Sequence, residues 1–238
     1  ETSAFGFHPN VFRNLDLKWE STASFNVGVD FGFFNNRVSG SIDVYHQNTT
    51  DLLMNRQIPA NTGFTSVLSN IGATQNRGLE IGLSTVNIDS KNGFKWQTDL
   101  SFYINREKIV SLSTGKHDDP QNAWFIGKPL TVFYDYEKIG IWQTKDEALA
   151  LSYNARPGEI RVKDQNNDGM INSLDKVILG SDIPKWTGGM TNRFSYKGFD
   201  FSVFAYARQG SMIQSNYHRF LASLSGKSNV MSMDYWTP

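Results

Sequence analysis

Residues 24–33, SFNVGVDFGF, decide how this chain is read. Phe25, Val27, Val29, Phe31 and Phe33 fall on one side of an extended backbone, and Ser24, Asn26, Gly28, Asp30 and Gly32 on the other. Side chains alternate faces along a strand, so this period of two marks a strand with one apolar and one polar face. The Asn35-Asn36 pair that follows suits a tight hairpin, because asparagine tolerates positive φ. Beyond it, Val38, Ile42 and Val44 oppose Ser39, Ser41 and Asp43.

The same pattern recurs outward. Leu79, Ile81 and Leu83 oppose Glu80, Gly82 and Ser84. Phe94, Trp96, Leu100, Phe102 and Ile104 oppose Lys95, Gln97, Asp99, Ser101 and Asn105. A weaker strand runs from about Met190 to Tyr196, and then Phe199, Phe201, Val203, Ala205 and Ala207 oppose Asp200, Ser202, Tyr206 and Arg208. The connections alternate strictly between tight turns and long loops, the latter at roughly 54–76 and 108–188. Short turns at one end and long loops at the other are the asymmetry of outer-membrane β-barrels, with short periplasmic turns and long extracellular loops. Strands of about 10 residues match a tilted bilayer span. Phe33, Phe34, Phe94, Trp96, Tyr196, Phe199 and Phe201 sit beside the short turns, as an interfacial girdle does. On this reading Asp30, Asp43, Glu80, Asp99, Asp200 and Arg208 face a wet lumen. A soluble β-sandwich with one dry face has the same alternation and stays open as the alternative.

Composition narrows the choices. The 238 residues carry 23 Lys plus Arg against 23 Asp plus Glu, so no charge excess points to nucleic acid. Aromatic residues make up 13% and glycine 20 positions, which favours strands and turns. Cysteine is absent, which excludes disulfides and thiolate sites. No apolar run is long enough for a transmembrane helix. The chain opens on ETSAFGF, without an initiator methionine or a leader, and stops at MDYWTP. Six strands are fewer than the roughly eight of the smallest such barrels. We therefore read the chain as all-β, a portion of a large antiparallel transmembrane barrel belonging to a longer protein.

Several phrases carry a resemblance over nearly the whole chain. LDLKWESTASFNVGVDFGFFNNRVSGSIDVYHQNTTDLL, NIGATQNRGLEIGLS, GKPLTVFYDYEKIGIWQTKDEA, PGEIRVKDQNNDGMINSLDKVILG and YWTP, in that order, resemble the C-terminal barrel region of SusC/RagA-type TonB-dependent outer-membrane transporters of Bacteroidetes. The resemblance implies a 22-stranded barrel with an N-terminal plug, residing in the outer membrane of a Gram-negative bacterium. It implies import of oligosaccharides or peptides, driven through TonB by a region absent from this chain. It also implies a SusD-like surface lipoprotein as a lid, contact with outer-membrane lipid, and no catalysis. Residues 1–238 would then be one incomplete barrel segment, with a long extracellular loop at about 108–188.

Within that loop, residues 164–175 read DQNNDGMINSLD. Asp164, Asn166 and Asp168 hold the first, third and fifth places of a calcium-loop pattern, with Gly169 at the sharp turn. Met170 would give its backbone carbonyl, Asn172 would act directly or through water, and Asp175 would close the loop. These residues are the candidate ligands of a structural Ca2+. Aspartate replaces the usual closing glutamate, the PGEIRV entry reads as turn and strand, and no second copy is present, so the loop resembles a lone dockerin-like site. The plainer alternative is an Asp/Asn/Gly turn that caps its own backbone. A short helix is expected at SLDKVIL, and another at TKDEALALSYNA, where Thr144 and Glu147 have capping-box spacing.

The remaining candidates are weaker. His8, His46, His117 and His218 show no ligand spacing, and His117-Asp118-Asp119 reads as a solvated loop tip. Trp124, Phe125, Phe133, Tyr134, Tyr136, Trp142, Trp186, Tyr217 and Tyr235 could stack on sugars, but packing within the loops is the preferred reading. No hydrolase, nucleotide or zinc-protease motif occurs. A glycan-degrading enzyme would need paired carboxylates, and the polar-face acids lie on different strands.

Overall fold

The computed structural model describes residues 13–112, 115–221 and 236–237. In chain order the strands are β1 (Ser21–Phe33), β2 (Val38–Thr50), β3 (Leu53–Gln57), β4 (Ser66–Asn70), β5 (Gly72–Asp89), β6 (Lys95–Leu112), β7 (Val132–Tyr136), β8 (Lys138–Ile141), β9 (Ile160–Val162), β10 (Lys176–Ser181), β11 (Trp186–Tyr196) and β12 (Phe199–Gln209). Two short helices are described, α1 (Glu147–Ser152) and α2 (Asn216–Leu221). The described residues divide into two compact units, one within 1–131 and 183–211, the other within 132–182 and 212–238.

The first unit is built on a six-stranded antiparallel sheet in the order β1-β2-β5-β6-β11-β12. Among the described residues neither β1 nor β12 has an outer partner, so the sheet is an open wall and not a closed barrel. The tight turns expected from the sequence are present. Asn35 and Asn36 adopt φ of 56° and 61°, as does the exposed Phe34 beside them, and Lys197-Gly198 turns β11 into β12 at φ of 47° and 87°.

The register places the alternating residues in continuous rows. Val29 pairs with Ile42, Ile42 with Ile81, and Ile81 with Phe102. Leu83, Leu100, Met190 and Ala205 form the row beside it. All these side chains share one face, and Asp30, Asp43, Glu80, Asp99, Asp200 and Arg208 lie on the other, as the alternation predicts. The apolar face is uncovered in this wall: Phe25, Val27 and Val29 are all exposed. A row of apolar side chains without a covering layer is what a lipid-facing wall presents.

The strands outrun the expectation of about 10 residues. β1 and β2 have 13 residues each and β5 and β6 have 18. Much of the extra length is polar, up to the last residues of β6. The row after Leu79 and Ile104 is His46, Arg77 and Arg106, followed by Asn48, Gln75 and Lys108. These ladders continue past the apolar band, where water can solvate their side chains. The connection expected as a plain loop at 54–76 carries the β3–β4 hairpin. Here the unit has a small dry core of Ile71, Ile109, Leu112 and Trp124, with Leu52, Met54, Ile126 and Leu130 against it.

The second unit pairs β7 with β10 and β8 with β9. TKDEALALS forms a 3-10 turn and α1 as expected, but without a side-chain cap at its start. SLDKVIL does not form the expected helix. Ser173–Asp175 is a 3-10 turn, and Lys176–Ser181 is β10, because the β-branched Val177 and Ile178 pair with Asp135 and Tyr134.

Candidate functional site

Three features of the chain bear on function: the two faces of the wall and the Asp-rich loop. On the apolar face, rings gather beside the short turns. Trp96 stacks on Phe194 at 5.7 Å, Phe194 on Phe201 at 6.2 Å, and Phe94 meets Tyr196 at 6.5 Å. At the other end of the band Trp186, which the sequence places before the strand, is the first residue of β11 and stacks on Phe102 at 5.9 Å. From Phe194 to Trp186 the strand rises about 27 Å, which a barrel tilt of about 40° reduces to about 21 Å, near the height of an apolar band between two aromatic girdles.

The opposite face is polar and hydrogen-bonded. Tyr45 Oη donates to Asn105 Oδ1 at 3.1 Å and lies 3.3 Å from Tyr103 Oη. The Tyr45 ring occupies the space a Cβ at Gly78 would need, with ring carbon Cζ 2.3 Å from that point, so a larger residue there would displace the ring. Arg193 binds the Asp99 carboxylate, which also accepts from Ser84 Oγ at 2.7 Å. A shallow cleft of about 280 Å³ is lined in part by Asp43, Glu80, Tyr103 and Tyr206. Phe204 also lies on this face and stacks on Tyr206, an aromatic the alternation alone did not single out.

The Asp-rich loop is closed by its own backbone. Asp164 Oδ1 accepts from the N–H groups of Asn167 at 2.6 Å and Asp168 at 3.3 Å. Its Oδ2 accepts from Gly169 N–H at 2.8 Å and from Tyr153 Oη at 3.2 Å. Asn166 Oδ1 accepts from Asp168 N–H, and Asp168 Oδ1 from Met170 N–H. Asp175 is fully buried and accepts from Gln165 N–H and Asn172 N–H, both at 2.8 Å. Asn172 in turn accepts from Leu174 N–H, which completes a capping box. The capping box expected at Thr144 and Glu147 is therefore found here instead. Asn167 and Gly169 turn the loop at φ of 59° and 80°.

As a cation site, the donor set is chemically apt: carboxylates, amides and a carbonyl, all oxygen. Asp164, Asn166 and Asp168 stand at alternate positions, Met170 and Asn172 follow, and Asp175 is committed to two backbone donors. Among the described residues no three acidic or histidine side chains are grouped as a metal cluster.

The start of the loop is fastened to its unit. Glu137 accepts from Lys163 Nζ at 3.2 Å and Gln165 Nε2 at 2.9 Å. Tyr153 packs on Trp142, which is buried and carries the Arg161 guanidinium 4.4 Å from its ring centre. Trp236 of the closing YWTP donates to Gln143 Oε1 at 3.2 Å. Trp142 and Trp124 are core residues, so these two loop aromatics pack as the sequence suggests. Tyr217 is exposed, and Tyr235 and His8 lie outside the described residues. His46 lies on the ladder, His218 bonds Ser215, and Asp118 and Asp119 cap the backbone at Ile126 and Asn122.

Asp164 is held below the ordinary aspartate range. Desolvation pushes it up, but hydrogen bonds from Gly169, Asn167, Tyr153 and Asp168 outweigh that. Glu137 is lowered chiefly by Gln165 and then by Lys163. Both groups are more acidic folded than unfolded, so their ionised forms support the loop. That support is complete above about pH 4.3 and is lost as pH falls through the lowered folded values. Hydrogen exchange at residues 164–175, corrected for intrinsic rate, should stay slow from neutral pH down to about 5 and accelerate below about 4. Protection unchanged at pH 3 would remove these carboxylates from the account.

An antiparallel wall with one apolar, ring-bounded face and one polar face defines a segment of a transmembrane β-barrel. The family model described as TonB dependent receptor-like, beta-barrel, matches residues 3–228. A TonB-dependent receptor of Formosa agariphila is 32% identical over 239 residues, covering 94% of this chain and 24% of the relative. TonB-dependent receptor SusC of Bacteroides thetaiotaomicron is 33% identical over 238 residues, covering 93% of this chain and 22% of the relative. The solved structure of the RagAB peptide transporter matches with a TM-score of 0.72 and 27% identity, over 90% of this chain and 23% of that one. The chain belongs to the TonB-dependent receptor β-barrel family, a family of receptors and not of enzymes. It spans about a quarter of the length of the curated relatives it matches.

Proposed function

We propose that this chain is a C-terminal wall segment, with its external loops, of an outer-membrane transporter in a Gram-negative bacterium. The whole protein would import oligosaccharides or peptides, energised by TonB through a region outside this chain and lidded by a SusD-like lipoprotein. The observation that carries this reading is the register: six strands set every apolar row on one face and every row of acids on the other. Similarity to the RagAB peptide transporter supports the peptide arm, and similarity to TonB-dependent receptor SusC supports the dependence on TonB. The test is uptake of labelled oligosaccharide and peptide mixtures by cells with and without the full-length gene. Uptake of one class that disappears when TonB is deleted is the expected result. Equal uptake of both mixtures with and without the gene would overturn the reading.

For the Asp-rich loop, we infer a calcium ion held by Asp164, Asn166, Asp168, the Met170 carbonyl and Asn172. The spacing of oxygen donors and the left-handed turn at Gly169 support it. Asp175 then serves as the anchor of the loop exit. Calorimetric titration of the full-length protein in detergent should give calcium-dependent heat that vanishes in an Asp164→Ala/Asp168→Ala variant. No heat at millimolar calcium would leave the loop as a self-capped turn.

A further inference from the structure

One polar cluster lies on the wrong face for a barrel wall. Thr85, Thr98 and Asn192 occupy a row adjoining Leu83, Leu100 and Met190, on the apolar side. The bulge between Val86 and Ile88 adds Asn87 to them. The row lies between the apolar band and the rings of Trp96, Phe194 and Phe201. Its hydrogen bonds cross three strands. Thr85 Oγ1 donates to Asn87 Oδ1 at 3.0 Å, and Asn87 Nδ2 donates to Thr98 Oγ1 at 2.7 Å. Thr98 Oγ1 donates to Asn192 Oδ1 at 2.7 Å, and Trp96 Nε1 to the same oxygen at 2.9 Å.

Donors and acceptors do not balance. The indole N–H of Trp96 can only donate, so the Asn192 oxygen must point inward and its amide nitrogen outward. Among the described residues no hydrogen bond engages that nitrogen, and Asn87 Nδ2 has a second N–H to give. Unpaired donors on a lipid-facing surface are costly unless the surroundings accept from them. Hydrocarbon cannot. The ester carbonyls and phosphodiester oxygens of a phospholipid can, and they sit at the depth of an aromatic girdle.

We propose that Thr85, Asn87, Thr98 and Asn192, bounded by Trp96, form a docking site for the ester and phosphate oxygens of a phospholipid in the leaflet beside the short turns. The site accepts oxygen acceptors and offers no charge, so it selects by depth and donor geometry, not by headgroup charge. It rests on the wall reading above, and the experiment separates the two. The full-length protein is reconstituted into phosphatidylethanolamine and phosphatidylglycerol vesicles holding a phospholipid with a photoreactive group at the glycerol backbone. Cross-linked peptides are then mapped. Labelling concentrated on the peptides carrying residues 85–87, 96–98 and 192, and reduced several-fold in an Asn87→Val/Asn192→Val variant with unchanged heat-modifiable migration, is expected. Labelling spread evenly over the apolar band overturns the docking site and leaves the wall intact. No labelling of any strand overturns both. Should the double variant not fold, the wild-type map alone decides. A cross-link from this row to a second copy of the protein, without lipid, would also overturn the proposal.

Discussion

Arginine at Ile42 is expected to destabilise the folded full-length barrel by about 2–4 kcal/mol, the cost of a cation on a lipid face near mid-membrane. Ile42 stands in the row with Val29, Ile81 and Phe102, deep in the apolar band. Arginine at Ser41, one residue away, should cost little, because Ser41 pairs with Asp30 and Gly82 on the polar face. Arginine at Phe33, in the ring-lined rim beside the first short turn, should cost only about 0–1 kcal/mol, because the penalty falls toward the interface. Urea titration of refolding into vesicles measures all three. The depth dependence is the informative part. In a soluble sandwich the same apolar face would be a dry core, and arginine would be penalised wherever a neighbour covered it. Equal losses at Ile42 and Phe33 would contradict a membrane wall.

The wall was readable because its physics is local. Alternation over Ser24–Phe33 fixes the faces of β1, the asparagine turn fixes the hairpin, and the register then propagates from strand to strand. The polar extensions of β5 and β6 were not readable in this way. GATQNR has no apolar side to alternate, and REKIVSL sets Ile109, Val110 and Leu112 without a period of two, so they are strands because their neighbours continue the ladder. The β7–β10 pair was missed for a different reason. Val177 and Ile178 are compatible with a helix turn or a strand, and only Tyr134 and Asp135, more than forty positions earlier, decide between them. At the Asp-rich loop the residue types and the Gly169 turn were readable, but the partners were not. Tyr153 and Glu137 approach from other segments, and their contribution is set by tertiary packing.

Removing the Asp175 carboxylate is expected to be the most damaging single change in the second unit. The side chain is fully buried, and each oxygen takes one backbone N–H, from Gln165 and Asn172. In Asp175→Ala both half-buried donors lose their partner, at up to about 1–3 kcal/mol each, so at most about 2–6 kcal/mol together. Asp175→Asn keeps the volume and one carbonyl oxygen but turns an amide N–H toward a second N–H, so it should recover part of the loss. Asp168→Ala, with an exposed carboxylate, should cost less than either. Limited proteolysis and hydrogen exchange should show residues 164–175 opening in Asp175→Ala while the wall keeps its heat-modifiable migration, because the sheet has its own ladders and core. A chelator added to the wild-type protein separates anchoring from ligation. If Asp175 acts as the anchor, chelation leaves the Gln165 and Asn172 amides protected, whereas Asp175→Ala exposes them. If chelation alone reproduces the variant, the buried carboxylate holds the loop through a cation, and the hydrogen bonds to the backbone are secondary.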